Sequence, residues 1–527
     1  MRLCQTAPMV AAGSENPTNV ADVVRATAAR HPDATALVHL PAEGDRTATT
    51  WAALDADIDA TATGLRTDLG LREGDRVALA LANSPGFVTS YFAVLRAGLV
   101  AVPLNTGLTA PESARLLGEA DAKVVLCDDL TLPVVEEAVA GTHRVLVDPA
   151  GLDSLTAAGR RAGASATARA GEDLAVLMFT SGTSGRPRAA MLSHRALLAN
   201  LDQCRALDPT PMTEDDVVLL VLPLFHIYGL NTGLGMVAAT GATGVLAERF
   251  DPVQTAAAVR SEGVTNVPGA PPMYVAWGAA EVYDDLRGVR MFASGASPLP
   301  ASVLEQVHTE VGRPVYEGYG LTETSPVVSS TLASAQVKAG SIGRPVPGVE
   351  VRLVDEAGTE VLQDDTGEIM VRGANLFSGY WPDGSGGPDA DGWWATGDVA
   401  YADDDGDLFL VDRRKELVLV SGFNVYPREV EDALAEHADI AEVAVIAVPH
   451  PYTGEAVKAF VVAREGSGLR PEHVTAHAAT RLARFKRPTI VVIVDALPHS
   501  ATGKVAKGRL REREDEGEDG DITGQTR

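Results

Sequence analysis

The sequence predicts an α/β fold. A large N-terminal domain of α/β subdomains carries a small β-rich subdomain, and a small α+β domain follows it. Segments with apolar residues at helical spacing alternate with short Val/Leu/Ala runs, the pattern of a parallel sheet. Past Gly340 the texture changes to short alternating segments between turn signals, as in a small antiparallel or barrel-like unit. With 527 residues the chain also exceeds one core, since single cores stop growing at about 250–300 residues.

The elements follow in order. Over 19–29, Val20, Val23, Val24 and Ala28 share a helical face, and over 47–65 so do Trp51, Leu54, Ile58, Ala62 and Leu65. After a Gly-Asp turn, residues 77–81 read as a strand, SYFAVLRAG as a helix ending at Gly98, and LVAVPLN as a strand. ADAKVVLCDD and HRVLVDP repeat the pattern, whereas 152–170, rich in Ala, Gly and Ser, reads as a surface excursion. Residues 175–179 form a buried strand. A second cycle comprises DDVVLLVLPLFH, GATGVLAE, GVTNVPGAPP, VRMFASGAS and PVYEGYGLTE, each an apolar run ending in Gly, Pro or a polar cluster. Ligand-binding groups in such sheets gather where strands end. SIGRPVPGVEVRLVD, TGEIMVRG, DGWWATGDVA and GDLFLVDRR supply the β-rich part. The expected domains are 1–412 and 413–511, and 512–527 is a charged, Gly-rich tail of disordered composition.

A formal charge of −27 argues against a general nucleic-acid or anionic-membrane binder, though not against a local cationic pocket. Cys4, Cys127 and Cys204 lack CxxC spacing, which fits a reducing cytoplasmic setting better than a disulfide framework or zinc site. The first 16 residues make a poor signal peptide, and no run approaches the ~20 apolar residues of a membrane span. A monomer or homodimer is expected.

The stretch LMFTSGTSGRPRAAMLSH, residues 177–194, carries the first functional signal. Its loop is Gly, Ser, Thr and cations, apart from one proline. Glycines let backbone N–H groups turn inward, and hydroxyls and guanidinium groups add donors, which together cradle a phosphate. It is not a GxxxxGK[ST] loop. A Ser/Gly linker has similar composition but seldom sits between an apolar strand and an amphipathic segment such as HRALLANLDQ.

Several motifs in order resemble the AMP-forming adenylating superfamily of acyl-CoA synthetases, peptide-synthetase adenylation domains and luciferases, and most closely its fatty-acid–CoA ligases. FTSGTSGRPRAAMLSH resembles its phosphate loop, LPLFHIYGLN its acid-pocket motif and SGAS its adenine-side loop. YEGYGLTETSP resembles the nucleotide motif, TGDVA the ribose motif, DRRKELVLVSGFNVYP the hinge and PHSATGKVAK the C-terminal lysine motif. The resemblance spans roughly residues 16–511.

The resemblance implies two-step chemistry. A carboxylate joins AMP from ATP with loss of pyrophosphate, then a thiol displaces AMP. It implies Mg²⁺ with ATP, and CoA or a carrier protein's phosphopantetheine arm as acceptor. Thr180, Ser181, Gly182, Thr183 and Arg188 would hold the β- and γ-phosphates, with Ser184 and Gly185 in the same loop. Gly295, Ala296 and Ser297 would flank the adenine, and Glu317, Gly318, Tyr319, Gly320, Leu321 and Thr322 would form the nucleotide motif. Glu323 and Thr180 would ligate Mg²⁺, a hard cation suited to oxygen donors. Asp398 would accept the ribose hydroxyls, supported by Arg413. Lys504 would reach the acyl carboxylate and α-phosphate, joining Glu323, Thr180 and His226 as the catalytic set. Lys415 would be the hinge, and Ser421, Gly422 and Phe423 would line the CoA tunnel. The family's PKG becomes Pro187-Arg188-Ala189 here, which keeps the charge but changes its shape.

For the acid pocket the resemblance implies His226, Ile227, Gly233, Val267, Pro268, Gly269, Ala270, Gly295 and Gly320. None is acidic, which disfavours an α-amino acid, and none is a cation to pair a second carboxylate. Small and apolar residues suit a medium- or long-chain fatty acid, with a cinnamate-like aryl acid as the alternative. The run RFKRP, 484–488, reads either as a solvated face or as a CoA-phosphate contact.

Overall fold

The strand Leu174–Thr180 sits next to the last place in a six-strand sheet. The order is Val145–Val147, Ala122–Cys127, Arg76–Ala80, Val100–Pro103, Leu174–Thr180 and Arg188–Ser193. All neighbours are parallel except the last pair, a hairpin. This is a computed structural model, and it describes residues 3–4, 18–42, 44–163, 169–180, 187–355, 357–361, 365–413, 418–425, 427–498, 507, 510–511 and 514.

A second sheet runs parallel through Thr35–Leu40, Thr243–Ala247, Val217–Leu220, Asn266–Gly269, Met291–Ser294 and Val315–Gly320. The β-rich part is continuous with it rather than detached. Val315–Gly320 pairs antiparallel with Val327–Ser330, and the path continues through Ser341–Pro345, Leu408–Arg413, Trp394–Ala402, Gly367–Gly373 and Val349–Val354. The change from parallel to antiparallel comes at the tight turn 321–326, too short for a crossover helix.

Local chemistry explains the helices. Ser84, Asp148, Ser193 and Asp251 cap Pro85–Arg96, Pro149–Ala162, His194–Arg205 and Pro252–Ser261 by accepting from N–H groups of the first turn. Three of these helices also begin with Pro, which loses nothing at that position. The segment 47–65 is not helical throughout. Thr47–Thr50 forms an edge strand, and the helix is Trp51–Thr67, with Thr50 Oγ1 accepting from Ala53 N–H. β-Branched threonines favour the strand, and the capping threonine marks its end.

The stretch 152–170 corrects the expectation of a surface excursion. Most of it belongs to the helix Pro149–Ala162, which packs on Trp51–Thr67 through glycines. A Cβ on Gly159 would collide with the Ala60 carbonyl, and one on Gly64 with the Leu155 carbonyl. Within that helix the glycines are there because two helix backbones approach closely, and residues 164–168 lie outside the described residues.

The chain divides into two compact units, the smaller formed mainly by residues from 415 on. In it, Gly454–Ala463 lies between Ile440–His450 and Ile490–Val494, over a core of Val430, Leu434, Val445, Val461 and Val474. The run 484–488 is not a uniformly solvated face. Lys486 is buried and donates to Glu429 Oε1 at 2.9 Å, Arg487 donates to the Leu482 and Ala479 carbonyls, and Arg484 is exposed.

Gly159→Ala should destabilise the larger unit by about 1–3 kcal/mol, the usual cost of forcing a methyl into a full contact. The measurement is a lowered denaturant midpoint, and an unchanged one would contradict the glycine seam.

Candidate active site

The hairpin Leu174–Thr180/Arg188–Ser193 sets the ends of the phosphate-loop candidate. Thr180 and Arg188 are register partners, and Thr180 Oγ1 donates to the Arg188 carbonyl at 3.3 Å. Ser181, Gly182, Thr183, Ser184 and Gly185 lie outside the described residues, as do Lys415 and Lys504. The Arg188 guanidinium lies 3.5 Å from the centroid of the Tyr380 ring, inside the range of cation–π attraction. The Tyr380 hydroxyl donates to Glu323 Oε1 at 2.6 Å. Arg188, Tyr380 and Glu323 therefore form one connected group, of which the sequence motifs contain only the two ends.

Glu323 sits on the single turn Thr322–Thr324 after the strand Val315–Gly320. Burial raises its carboxyl above the ordinary value, and the Tyr380 bond and the Arg188 charge pull it back. Three asparagines hold the turn. Asn231 Nδ2 donates to the Ser325 carbonyl at 2.7 Å, Asn375 Nδ2 to that of Thr324 at 2.7 Å and Asn200 Nδ2 to that of Val327 at 2.8 Å. The Phe377 N–H donates to the Glu323 carbonyl at 2.9 Å. Gly320 is needed because a Cβ would strike the Pro326 carbonyl.

Asp398 is buried on the strand Trp394–Ala402, where Tyr319 Oη donates to its Oδ2 at 2.7 Å. Arg413 is its register partner on the neighbouring strand, and the Arg413 side chain lies outside the described residues. Glu317, two residues before Tyr319, is also buried. It accepts from the Leu299 N–H at 2.9 Å, and burial pushes its carboxyl up to about 7. Ala296, between Gly295 and Ser297, holds a left-handed φ of 73°, which aims the loop backbone in a way few alanines tolerate. Gly318, Leu321 and Thr322 lie on the strand end and turn that carry Tyr319 and Glu323.

His226 precedes a π-helix, Tyr228–Gly235, a form often found at functional sites. Its Nδ1 accepts from the Tyr228 N–H at 3.3 Å, so the neutral ring carries its proton on Nε2. Burial drives its titration down to about 4, and no ionised group among the described residues contributes. Asn83 fixes the approach, donating to the Leu222 carbonyl and accepting from the Leu224 N–H, both at 2.9 Å. The Gly295 N–H donates to the Gly269 carbonyl at 3.3 Å. A Cβ on Gly295 would stand 3.1 Å from the Tyr228 ring, and one on Gly269 would stand 2.8 Å from Tyr274 Oη. Two tyrosine rings thus lie against the two glycines. Gly233 lies against Leu220, and Pro268 and Ala270 are buried beside Gly269.

Ile227 and Val267, also expected at the pocket, are both buried in the apolar core, Val267 with Leu219, Val245 and Phe292. In the smaller unit, Ser421 has a φ of 52°, Gly422 one of 81°, and the Phe423 ring packs 4.7 Å from that of Phe485.

Among the described residues one further acidic group converges, Asp403, Asp405 and Asp407. Lys338 Nζ already stands among them, at 2.6, 2.6 and 2.9 Å. This loop carries its own cation.

Parallel α/β sheets, a hairpin with Thr180 and Arg188 at its ends, and the buried carboxylates Glu317, Glu323 and Asp398 fit an adenylate-forming enzyme. The AMP-binding enzyme family matches residues 24–381, and the AMP-binding enzyme C-terminal domain matches 429–504. The chain belongs to this family and is an AMP-forming acid–thiol ligase of the acyl-CoA synthetase kind. A long-chain-fatty-acid–CoA ligase of Bacillus subtilis is 34% identical over 85% of this chain and 87% of its own. A feruloyl-CoA synthase of an Amycolatopsis species is 37% identical over 92% of this chain and 96% of its own. Among solved structures, the amide bond synthetase McbA of Marinactinospora thermotolerans is similar, with a TM-score of 0.84 and 28% identity over 94% of this chain and 99% of that one. Among the described residues no helix is long and apolar enough to cross a membrane.

The raised Glu317 carboxyl gives a pH test. The folded state holds a proton that the unfolded chain releases around pH 4.5, so stability falls as pH rises from there to about 7. Glu317→Gln keeps an oxygen for Leu299 and removes the titration. Its melting temperature should exceed wild type at about pH 8, and the gain should vanish near pH 4. Equal gains at both values would contradict the assignment.

Proposed function

We propose that the protein activates an apolar monocarboxylic acid as its acyl-adenylate and passes the acyl group to CoA, with a medium- or long-chain fatty acid as the substrate class. The carrying observation is the environment of His226, whose titration is displaced by burial and by no charged group among the described residues. A site for an amino acid or a diacid needs a charge there to meet the second group. Gly295, with the partly exposed Tyr228 ring against it, suits an apolar body.

In the first step a carboxylate oxygen attacks the α-phosphorus of ATP, and pyrophosphate leaves. Both reactants are anionic, so the barrier is largely electrostatic. Arg188 and the N–H groups of the loop neutralise the departing phosphates. Mg²⁺ supplies further charge when bound, and Glu323 and the Thr180 hydroxyl are the hard oxygen donors it requires. Asp398, oriented by Tyr319, accepts the ribose hydroxyls with support from Arg413. His226 donates through Nε2–H and lines the acid side. Lys504 bridges the acyl carboxylate and the α-phosphate. In the second step the C-terminal domain turns about Lys415, withdrawing Lys504 and admitting the thiol past Ser421, Gly422 and Phe423.

An aryl acid is the second reading. The Tyr228 ring lying against Gly295 favours a flat substrate beside it, and the two relatives above are named for a fatty and an aryl substrate. Incubation with ATP, Mg²⁺, CoA and a panel of fatty, cinnamate-type and amino acids tests the proposal. The expected result is AMP and a fatty acyl-CoA. Preferred turnover of cinnamates would decide for the aryl reading, and amino-acid adenylation would overturn both. Transfer to a phosphopantetheinyl carrier protein but not to CoA would replace the acceptor.

Lys504→Ala should lower adenylation by about a hundredfold or more, the scale of losing one preorganised transition-state contact. Thioester formation from supplied acyl-adenylate should change little, and equal losses in the two half-reactions would contradict the rotating-domain account.

A further inference from the structure

Tyr380 lies in a segment, SGYWPDGSGG, to which no motif gave a role. Its backbone belongs to the phosphate-loop hairpin as much as to the β-rich part. Tyr380 forms an isolated bridge with Ala190, the Trp381 N–H donates to the Ala189 carbonyl at 2.9 Å, and the Met191 N–H donates to the Gly379 carbonyl at 3.0 Å. The side chain works in two directions. Its hydroxyl donates to Glu323 Oε1 at 2.6 Å, and its ring carries Arg188 at 3.5 Å. The Phe377 ring packs edge-on at 5.0 Å and holds the Tyr380 ring from another side. Gly386 lies beside both groups, since a Cβ there would stand 3.2 Å from the Tyr380 ring and 3.4 Å from Arg188 Nη2.

We infer that Tyr380 is a positioning residue for the adenylation step, one side chain that fixes both the metal-facing carboxylate of Glu323 and the phosphate-facing cation of Arg188. This rests on the adenylation reading above. Two physical points support it. A carboxylate buried without an oriented donor has no preferred rotamer for its metal-facing oxygen, and such outer partners are worth about ten- to a hundredfold in metal affinity or activity. The planar guanidinium stacks on an aromatic face in a way an ammonium cannot, so the Tyr380 ring gives position 188 a reason to be Arg rather than Lys. Tyr380 touches neither substrate nor metal in this role and acts through its two neighbours.

Two variants separate the two contacts. Tyr380→Phe keeps the ring under Arg188 and removes the bond to Glu323. Arg188→Lys keeps the charge and removes the stacking. Binding is measured without turnover, by calorimetry of ATP with Mn²⁺ and no acid present. Acid-dependent ATP–pyrophosphate exchange is measured in parallel. For Tyr380→Phe the Mn²⁺ concentration at half-saturation should rise about tenfold, while the KM for the acid stays within about twofold. For Arg188→Lys the ATP affinity should fall several-fold with the Mn²⁺ midpoint unchanged. In the Arg188→Lys background, Tyr380→Phe should still shift the Mn²⁺ midpoint, because the two contacts are separate. An unchanged Mn²⁺ midpoint in Tyr380→Phe, or a parallel loss in the acid KM, would overturn the inference. Wild-type protein that binds ATP with Mn²⁺ but exchanges no pyrophosphate with any acid would sink the activity reading alone, leaving the calorimetric comparison to decide the role of Tyr380.

Discussion

The structure depends on holding carboxylates in a dry place by means of neutral donors. Glu317, Glu323 and Asp398 are all buried, and each accepts from such a donor, the Leu299 N–H, the Tyr380 hydroxyl and the Tyr319 hydroxyl respectively. In each case the hydroxyl or amide donor orients one oxygen of the carboxylate. The surrounding architecture serves that need. The change from parallel to antiparallel sheet places the Glu317, Tyr319 and Glu323 positions on one strand end and turn, and the β-rich strands bring Tyr380 and Asp398 to it.

The class of fold was legible because the parallel strands are short, continuous apolar runs and their helices announce themselves with Ser, Asp and Pro. The misreadings have specific causes. Thr47–Thr50 shares its apolar neighbours with the following helix, so helical spacing ran over a strand that only pairing with Thr35–Leu40 reveals. The Ala/Gly/Ser stretch before the phosphate loop looked loose, since composition does not distinguish a flexible segment from a helix whose small residues admit another backbone. Lys486 reads as surface charge in a basic run, and the carboxylate that accompanies it into the interior, Glu429, is 57 positions away.

The candidate site divides in the same way. Glu323, Asp398, His226 and the loop around Thr180 and Arg188 lie in compact motifs with composition of their own. Tyr380, Asn83, Asn200 and Asn375 do not, because their partners are tens to more than a hundred positions distant and an isolated Asn or Tyr carries no pattern. Ile227 and Val267 lie in the same motifs with side chains buried in the apolar core, since strand alternation and helical rotation turn every second or third side chain inward.

The loop of Asp403, Asp405 and Asp407 around Lys338 has a consequence for how the protein meets its surroundings. A tethered ammonium cannot be diluted, chelated or exchanged, so the charge balance of this turn does not depend on a divalent ion. The acids that could compete for a metal are occupied by a residue of the chain itself. On the proposed chemistry, a response to magnesium then falls to Glu323, the carboxylate that a hydroxyl holds.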